Sequence, residues 1–299
     1  MVDTTAVTST ALDGLTFDRT SRRVSTDNFE LHFHEAGEGV PFILLHGSGP
    51  GVSAWSNFRG NLPVLALHFR TILVDMPGFG RSQLPTLDRI YPEIAAQATL
   101  ELMDALGIER ACLLGNSMGG YAAAEFALAH PDRLDRLVLM GPAGLAVNPF
   151  NPTDSEGSHR LQDFLEAPSR EAMVDWVATM VADPAHADDE LIDERLRNAL
   201  QDGVIERTSA IFATFGQFPA RTPPWTRAHL IHHPTLVTWG RDDNMLPFEG
   251  AFVSFAQMPN AELHVFSQCG HWAQVERKTE FERLVIEFLT RPPVVESRG

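Results

Sequence analysis

The chain is short of several things, and each shortage removes a class of protein. It has two cysteines, Cys112 and Cys269, in 299 residues. Two scattered thiols make no disulfide framework and point to a reducing compartment, the cytoplasm. No apolar run approaches the roughly 20 residues of a membrane span. The opening stretch, Met1–Leu12, is rich in Thr, Ala and Ser and lacks the basic start and long apolar run of a secretory signal. Positive charge is scarce: 23 Lys plus Arg stand against 39 Asp plus Glu, a formal charge of −16. That balance argues against nucleic acid or an anionic membrane as a partner, and an anionic ligand would need specific local cations. Repeats and low-complexity tracts are missing. What remains is 44% hydrophobic, an ordinary globular composition, long enough for one large α/β domain or a domain with an insertion.

Strand-like runs at Leu31–Glu35, Pro41–His46, Thr71–Asp75, Ala111–Gly115, Arg136–Met140, Thr235–Gly240 and Glu262–Phe266 alternate with helical stretches at Pro92–Leu106, Met118–Ala129, Phe248–Gln257 and Thr279–Leu289. Such alternation predicts a mostly parallel twisted sheet flanked by helices. It breaks between about Gly144 and Pro224. There a Pro/Asn-rich loop, residues 147–152, leads into amphipathic helices such as Ser169–Ala182 and Asp188–Leu200. The reading is a core of residues 13–145 and 224–299, a helical lid over 146–223 inserted between two core strands, and disordered tails at 1–12 and 292–299.

The densest local signal is Ala111-Cys112-Leu113-Leu114-Gly115-Asn116-Ser117-Met118-Gly119-Gly120. Gly115, Ser117 and Gly119 fill Gly-x-Ser-x-Gly, the nucleophile elbow. An apolar run precedes it and a strong helix former follows, stopped by Pro131. The required strand–turn–helix is therefore predicted independently of the motif. The turn strains the serine backbone and presents its hydroxyl at a helix N-terminus, where negative charge is stabilised.

A serine hydroxyl needs a base, and the base needs an orienting acid. With such an elbow the acid follows a later strand, and the histidine lies on a loop near the C-terminus. His271, in Ser267-Gln268-Cys269-Gly270-His271-Trp272, fits the base. Trp239-Gly240-Arg241-Asp242-Asp243 offers two candidate acids; Asp243 is the better one, with Asp242 suited to a turn or to Arg241. His46 and Asp75 read as turn residues. His229, His232 and His233 have no obvious carboxylate partner, so no metal is expected. An oxyanion hole needs two backbone donors. These are the N–H of Met118 and that of Ser48, in the loop His46-Gly47-Ser48-Gly49-Pro50-Gly51. No Gly-Lys-Ser/Thr follows that loop, which excludes a phosphate-binding loop.

That loop, with Ala54-Trp55-Ser56-Asn57-Phe58, the elbow, Met140-Gly141-Pro142-Ala143-Gly144-Leu145, Trp239–Asp243 and Leu263–Gln274, resembles the meta-cleavage product hydrolases of the α/β-hydrolase superfamily over about residues 30–290. These enzymes cut a carbon–carbon bond in ring-opened catechols. The resemblance implies that Asn57, Asn116 and Arg195 hold the keto-carboxylate end of a small-molecule substrate. It implies that Trp272 stands beside the base, and that Trp176, Met180, Met245 and Leu246 line the pocket for the rest. It implies hydrolysis of a 2-hydroxy-6-oxohexa-2,4-dienoate, no cofactor, and a homodimer or higher oligomer. Ser48 stands where many members have glycine, and the lid over Pro149–Gln162 is only loosely similar. A carboxylesterase or lactonase with the same triad, or a ligand receptor with little turnover, are the alternatives. An Arg195 on a helix surface, paired with Asp188, Glu194 or Asp202, is the bland alternative for that residue.

Overall fold

The computed structural model describes residues 14–146, 155–218 and 222–292. The expected tails, all but Pro292, and the loop at 147–152 lie outside the described residues. Eight strands form one sheet: β1 (Ser21–Ser25), β2 (Glu30–Ala36), β3 (Pro41–Leu45), β4 (Arg70–Val74), β5 (Ala111–Asn116), β6 (Leu134–Met140), β7 (Thr235–Gly240) and β8 (Ala261–Phe266). Their order is β1-β2-β4-β3-β5-β6-β7-β8. β1–β2 and β2–β4 pair antiparallel, and all later pairs are parallel.

The core follows from the period of two along a strand. Ile43 and Leu45 of β3 share one face of the sheet with residues of α1 (Tyr91–Ala105) and α2 (Met118–Ala129). Phe42 and Leu44 face the other side, with Phe281, Val285 and Phe288 packed there. Strands buried on both faces carry continuous apolar runs, which is why β3 to β7 are readable from sequence. The longer helices described between β6 and β7 are α3 (Glu156–Glu166), α4 (Arg170–Ala178), α5 (Asp189–Ala199) and α6 (Val204–Gln217). Phe164, Met173, Trp176, Val177 and Ile192 form a separate apolar cluster there, and Trp272 of the core packs into it. α7 (Ala251–Gln257) and α8 (Lys278–Thr290) complete the flanks.

β1 has no counterpart in the sequence reading. Ser21-Arg22-Arg23-Val24-Ser25 shows no apolar alternation, and its residues are half-buried or exposed. Polar contacts hold it. Ser21 Oγ lies 2.8 Å from His32 Nε2, and Thr20 Oγ1 lies 2.9 Å from His34 Nδ1. Beneath them His32 Nδ1 is 2.7 Å from Asp75 Oδ2. Asp75 also accepts the Ala54 N–H on Oδ1 (2.7 Å) and the Arg81 N–H on Oδ2 (2.9 Å), so one buried carboxylate fixes two loops. Burial alone would raise its pKa, but the hydrogen bond from His32 and the neighbouring imidazoles hold it below the usual range. Burial pushes His34 down to about 4, helped by His32, so it is neutral in the fold.

Candidate active site

Every element of the site meets at the C-terminal ends of β3, β5, β7 and β8. β5 runs into α2 through Ser117, whose backbone has φ 52° and ψ −117°. Such a conformation costs a non-glycine residue about 1–3 kcal/mol and persists only where the surroundings enforce it. They do. The Ser117 N–H donates to Met140 O (3.0 Å), and its carbonyl accepts from Ala143 and Tyr121. A Cβ on Gly119 would stand 2.2 Å from Leu45 O, and one on Gly115 2.3 Å from Gly119 O. Only glycine lets strand and helix close around the turn.

His271 and Asp243 come from the loops after β8 and β7. His271 Nδ1 lies 2.7 Å from Asp243 Oδ2, and both residues are buried. Asp243 Oδ1 accepts the Met245 and Leu246 N–H groups, each at 2.8 Å. This carboxylate is therefore held from one side by backbone and aims its other oxygen at the imidazole. Asp242 instead contacts Arg241 at the surface. The Ser117 hydroxyl lines the same cavity as His271 but makes no hydrogen bond among the described residues. Nucleophile–base contacts commonly tighten only with substrate. The N–H groups of Ser48 and Met118 have no acceptor among the described residues, as donors awaiting an oxyanion would.

The small cavity beside Ser117 is lined by Ser48, Asn57, Asn116, Trp176, Met180, Arg195, Met245, His271 and Trp272, with Gly47 and Val52. Arg195 is 3% exposed. Glu194, one of its possible surface partners, pairs instead with Arg59 at 2.6 Å. Arg195 has no acidic partner within 4.0 Å among the described residues, and its Nε is buried without an acceptor. Its guanidinium carbon sits 4.6 Å from the ring centre of Trp272 and 5.5 Å from that of Trp176. Burial lowers its pKa to about 10, so it stays charged at neutral pH. Two amides complete this end. Asn116 Nδ2 donates to Met140 O (3.2 Å), which leaves Oδ1 buried and free; Asn57 leaves Nδ2 buried and free.

One position differs from the expectation. Leu246 does not line the cavity; it packs against the main core, and its carbonyl accepts from Trp239 Nε1 (2.7 Å). Trp176 lines the cavity and also stands beside the Arg195 cation. Met118 contributes backbone only, its side chain being in the core. Two residues escaped the sequence reading. Gln274 is buried with an unpartnered Oε1, and its Nε2 reaches Asn57 O at 3.4 Å. Glu276 takes the Gly270 N–H on Oε1 (2.7 Å) and the Ala182 and Asp183 N–H groups on Oε2 (2.7 and 3.1 Å). Together with His271 N–H donating to Met180 O (2.8 Å), it sews the end of the α4 region to the histidine loop. His233 Nε2 lies 2.9 Å from Pro131 O, and no cluster of three metal-ligating side chains occurs among the described residues. His46 links Gly47 O to the Met76 N–H as a turn residue. Both cysteines are buried and free.

A strained serine between strand and helix, a histidine–aspartate pair and a lid inserted after β6 define a hydrolase of the α/β class. The alpha/beta hydrolase fold family matches residues 40–278, and the chain belongs to it. Within that family it belongs with the meta-cleavage product hydrolases. It is 40% identical over 268 residues to 2-hydroxy-6-oxo-6-phenylhexa-2,4-dienoate hydrolase of Burkholderia cepacia, covering 88% of this chain and 92% of the relative. It is 39% identical to a 2-hydroxy-6-oxononadienedioate/2-hydroxy-6-oxononatrienedioate hydrolase of Comamonas testosteroni, with the same coverage. The crystal structure of a meta-cleavage product hydrolase from Pseudomonas fluorescens IP01 superposes with a TM-score of 0.82 at 34% identity, over 90% of this chain and 97% of that one.

Proposed function

We propose that the protein hydrolyses the C5–C6 bond of a 2-hydroxy-6-oxohexa-2,4-dienoate, a ring-cleavage product of aromatic catabolism. One observation carries this reading: a buried arginine with no acidic partner among the described residues faces the same cavity as Ser117 and His271. An unpaired buried cation is costly unless a ligand anion completes it. A carboxylate on Arg195 accounts for it, as a neutral ester would not.

The chain's residues then divide the work. Arg195 grips the C1 carboxylate. Asn116 Oδ1 accepts from the C2 hydroxyl, and Asn57 Nδ2 donates to the same end. His271 moves the proton from that hydroxyl to C5, which gives the C2 ketone. The C6 carbonyl oxygen lies against the Ser48 and Met118 N–H groups. Ser117 Oγ attacks C6 and passes its proton to His271, whose imidazolium is stabilised by Asp243. The C5–C6 bond breaks, and its electron pair is delocalised through C4 and C3 onto the C2 oxygen as a dienolate. His271 returns the proton, releasing 2-hydroxypenta-2,4-dienoate. Water deprotonated by His271 frees the acyl group as a carboxylic acid. No cofactor enters this scheme.

Arg195→Ala tests it. Cleavage of the coloured dienoate, followed by its loss of visible absorbance, falls by about 1,000-fold in kcat/KM while hydrolysis of p-nitrophenyl acetate is retained. Equal loss of both activities, or a wild-type protein that never bleaches a dienoate, sinks the reading in favour of an esterase or a binding protein. We further place the protein in the cytoplasm as a homodimer or higher oligomer. Buried free thiols support the former, and sedimentation checks the latter.

A further inference from the structure

We infer that a cleft between the lid and the core is a second binding site, for a small carboxylate with a flat apolar body. The cleft is about 260 Å³ and, among the described residues, shares only Val52 with the cavity beside Ser117. Its chemistry is therefore independent of the reaction at Ser117. Phe17, Ser53, Trp55 and Arg81 line it from the core. Glu194 and Asn198 of α5, with Val204, Arg207 and Thr208 of α6, line it from the lid.

The cations of this cleft are free and its acids are not. Arg81 forms no ion pair among the described residues; its guanidinium carbon lies 4.3 Å from the centre of the Phe17 ring. Arg207 also lacks an acidic partner among them, and its Nη1 donates to Asp202 O at 3.2 Å. The two acids in the wall, Asp75 and Glu194, are spent elsewhere. Asp75 is bonded to His32 and accepts the Ala54 and Arg81 N–H groups. Glu194 is gripped by both terminal nitrogens of Arg59, at 2.6 and 2.7 Å. Val204, the first residue of α6, lines the cleft, and Gly203 before it offers no side-chain cap. The positive end of the helix dipole therefore adds to the two guanidinium groups. Glu206 in the same turn is exposed and does not line the cleft.

The same walls supply aromatic surface. Phe17 and Trp55 meet edge to face with ring centres 5.5 Å apart, and both are half-buried. Phe79 and Val204 extend the apolar lining. A bare inorganic anion makes no use of such surface, whereas a ring carrying a carboxylate uses it and the arginines together. Arg81, already stacked on Phe17, loses little freedom in gripping that carboxylate. One arginine belongs to the core and the other to α6, so an occupant ties the lid to the core.

The probe is 4-fluorobenzoate, titrated into the protein and followed by its fluorine NMR signal. In Arg195→Ala, where the cavity beside Ser117 has lost its cation, binding persists. Adding Arg81→Gln or Arg207→Gln to that variant raises the dissociation constant by at least about tenfold. The neutral 4-fluorobenzamide binds Arg195→Ala at least about tenfold more weakly than the acid, and acetate displaces the acid only in about tenfold excess or more. Loss of all binding in Arg195→Ala, or binding unmoved by either arginine exchange, overturns the inference. Equal binding of the amide, or of acetate, overturns it too, since charge and ring are both required. Should Arg195→Ala fail to fold, the same two exchanges in otherwise wild-type protein decide the matter: each must weaken one class of 4-fluorobenzoate site and leave the other, and a titration that they do not alter overturns the inference.

Discussion

Among the described residues, Ser, His and Asp gather in two places. At the sheet edge Ser21 is 2.8 Å from His32, which is 2.7 Å from Asp75. At the strand C-termini His271 is 2.7 Å from Asp243, while the Ser117 hydroxyl makes no hydrogen bond among the described residues. Judged by hydrogen bonds alone, the edge set is the more complete. Its surroundings are different. Ser21 has ordinary extended backbone, φ −62°, and its histidine is fully buried against the Phe17 ring, 5.8 Å between centroids. Ser117 is strained, opens on a cavity and has free N–H donors beside it. A serine satisfied by its neighbours is a structural group. A nucleophile needs its hydroxyl left wanting, in a space where a carbonyl can reach it.

The largest separation between the two sets is in turnover. Ser117→Ala lowers kcat on the dienoate by about 10,000-fold or more, whereas Ser21→Ala leaves it within about twofold. Comparable losses would abolish the distinction. The acids divide the same way. Asp243→Asn keeps an oxygen for the Met245 and Leu246 N–H groups but presents an amide to His271, and costs roughly 1,000- to 10,000-fold in kcat. Asp75→Asn must turn its NH₂ towards the Ala54 or the Arg81 N–H, and costs about 2–4 kcal/mol of stability with kcat unchanged. Urea unfolding beside steady-state kinetics reads both variants.

Acid sharpens the contrast further. His34 is neutral in the fold, with a pKa of about 4, and burial also lowers His46. The unfolded chain protonates these groups near pH 6.5, so stability is full above that pH and drains as pH falls towards 4. At pH 5 His34 alone accounts for on the order of 2 kcal/mol relative to pH 8. Asp75, whose folded pKa is depressed, adds a loss below about pH 4. A urea midpoint that is flat from pH 8 to 5 would refute this. The smallest effect is Ser21→Ala itself, about 1 kcal/mol by denaturant midpoint.

What could be read from the sequence tracks how local the signal is. Ser117, its glycines and α2 obey rules confined to a dozen residues. His271 and Arg195 are found through position and resemblance, and the structure brings both to the cavity. The choice between Asp242 and Asp243 is decided by direction, because adjacent residues in a turn point to opposite sides. Leu246 fails for the same reason: one residue past Met245, it faces the core. β1 is invisible because its bonds are polar and its partners, His32 and His34, are remote in sequence. Gln274 sits within a quoted motif, yet its unpartnered amide has meaning only once Asn57 is beside it. Glu276 acts on backbone 94 and 93 residues upstream, and no pattern in the sequence announces a carboxylate that binds main chain.

The seam at Glu276 also limits how the protein can be rebuilt. A lid inserted between two strands looks like an interchangeable cassette, to be moved between scaffolds to change substrate range. Here Met180, Ala182 and Asp183 are fastened to the loop carrying His271 and Gly270. A transplanted lid whose corresponding backbone sits slightly differently would pull the imidazole out of line before it met a substrate. The portable unit is therefore the lid together with residues 270–276, and a chimera cut on either side of that seam inherits a fold without its chemistry.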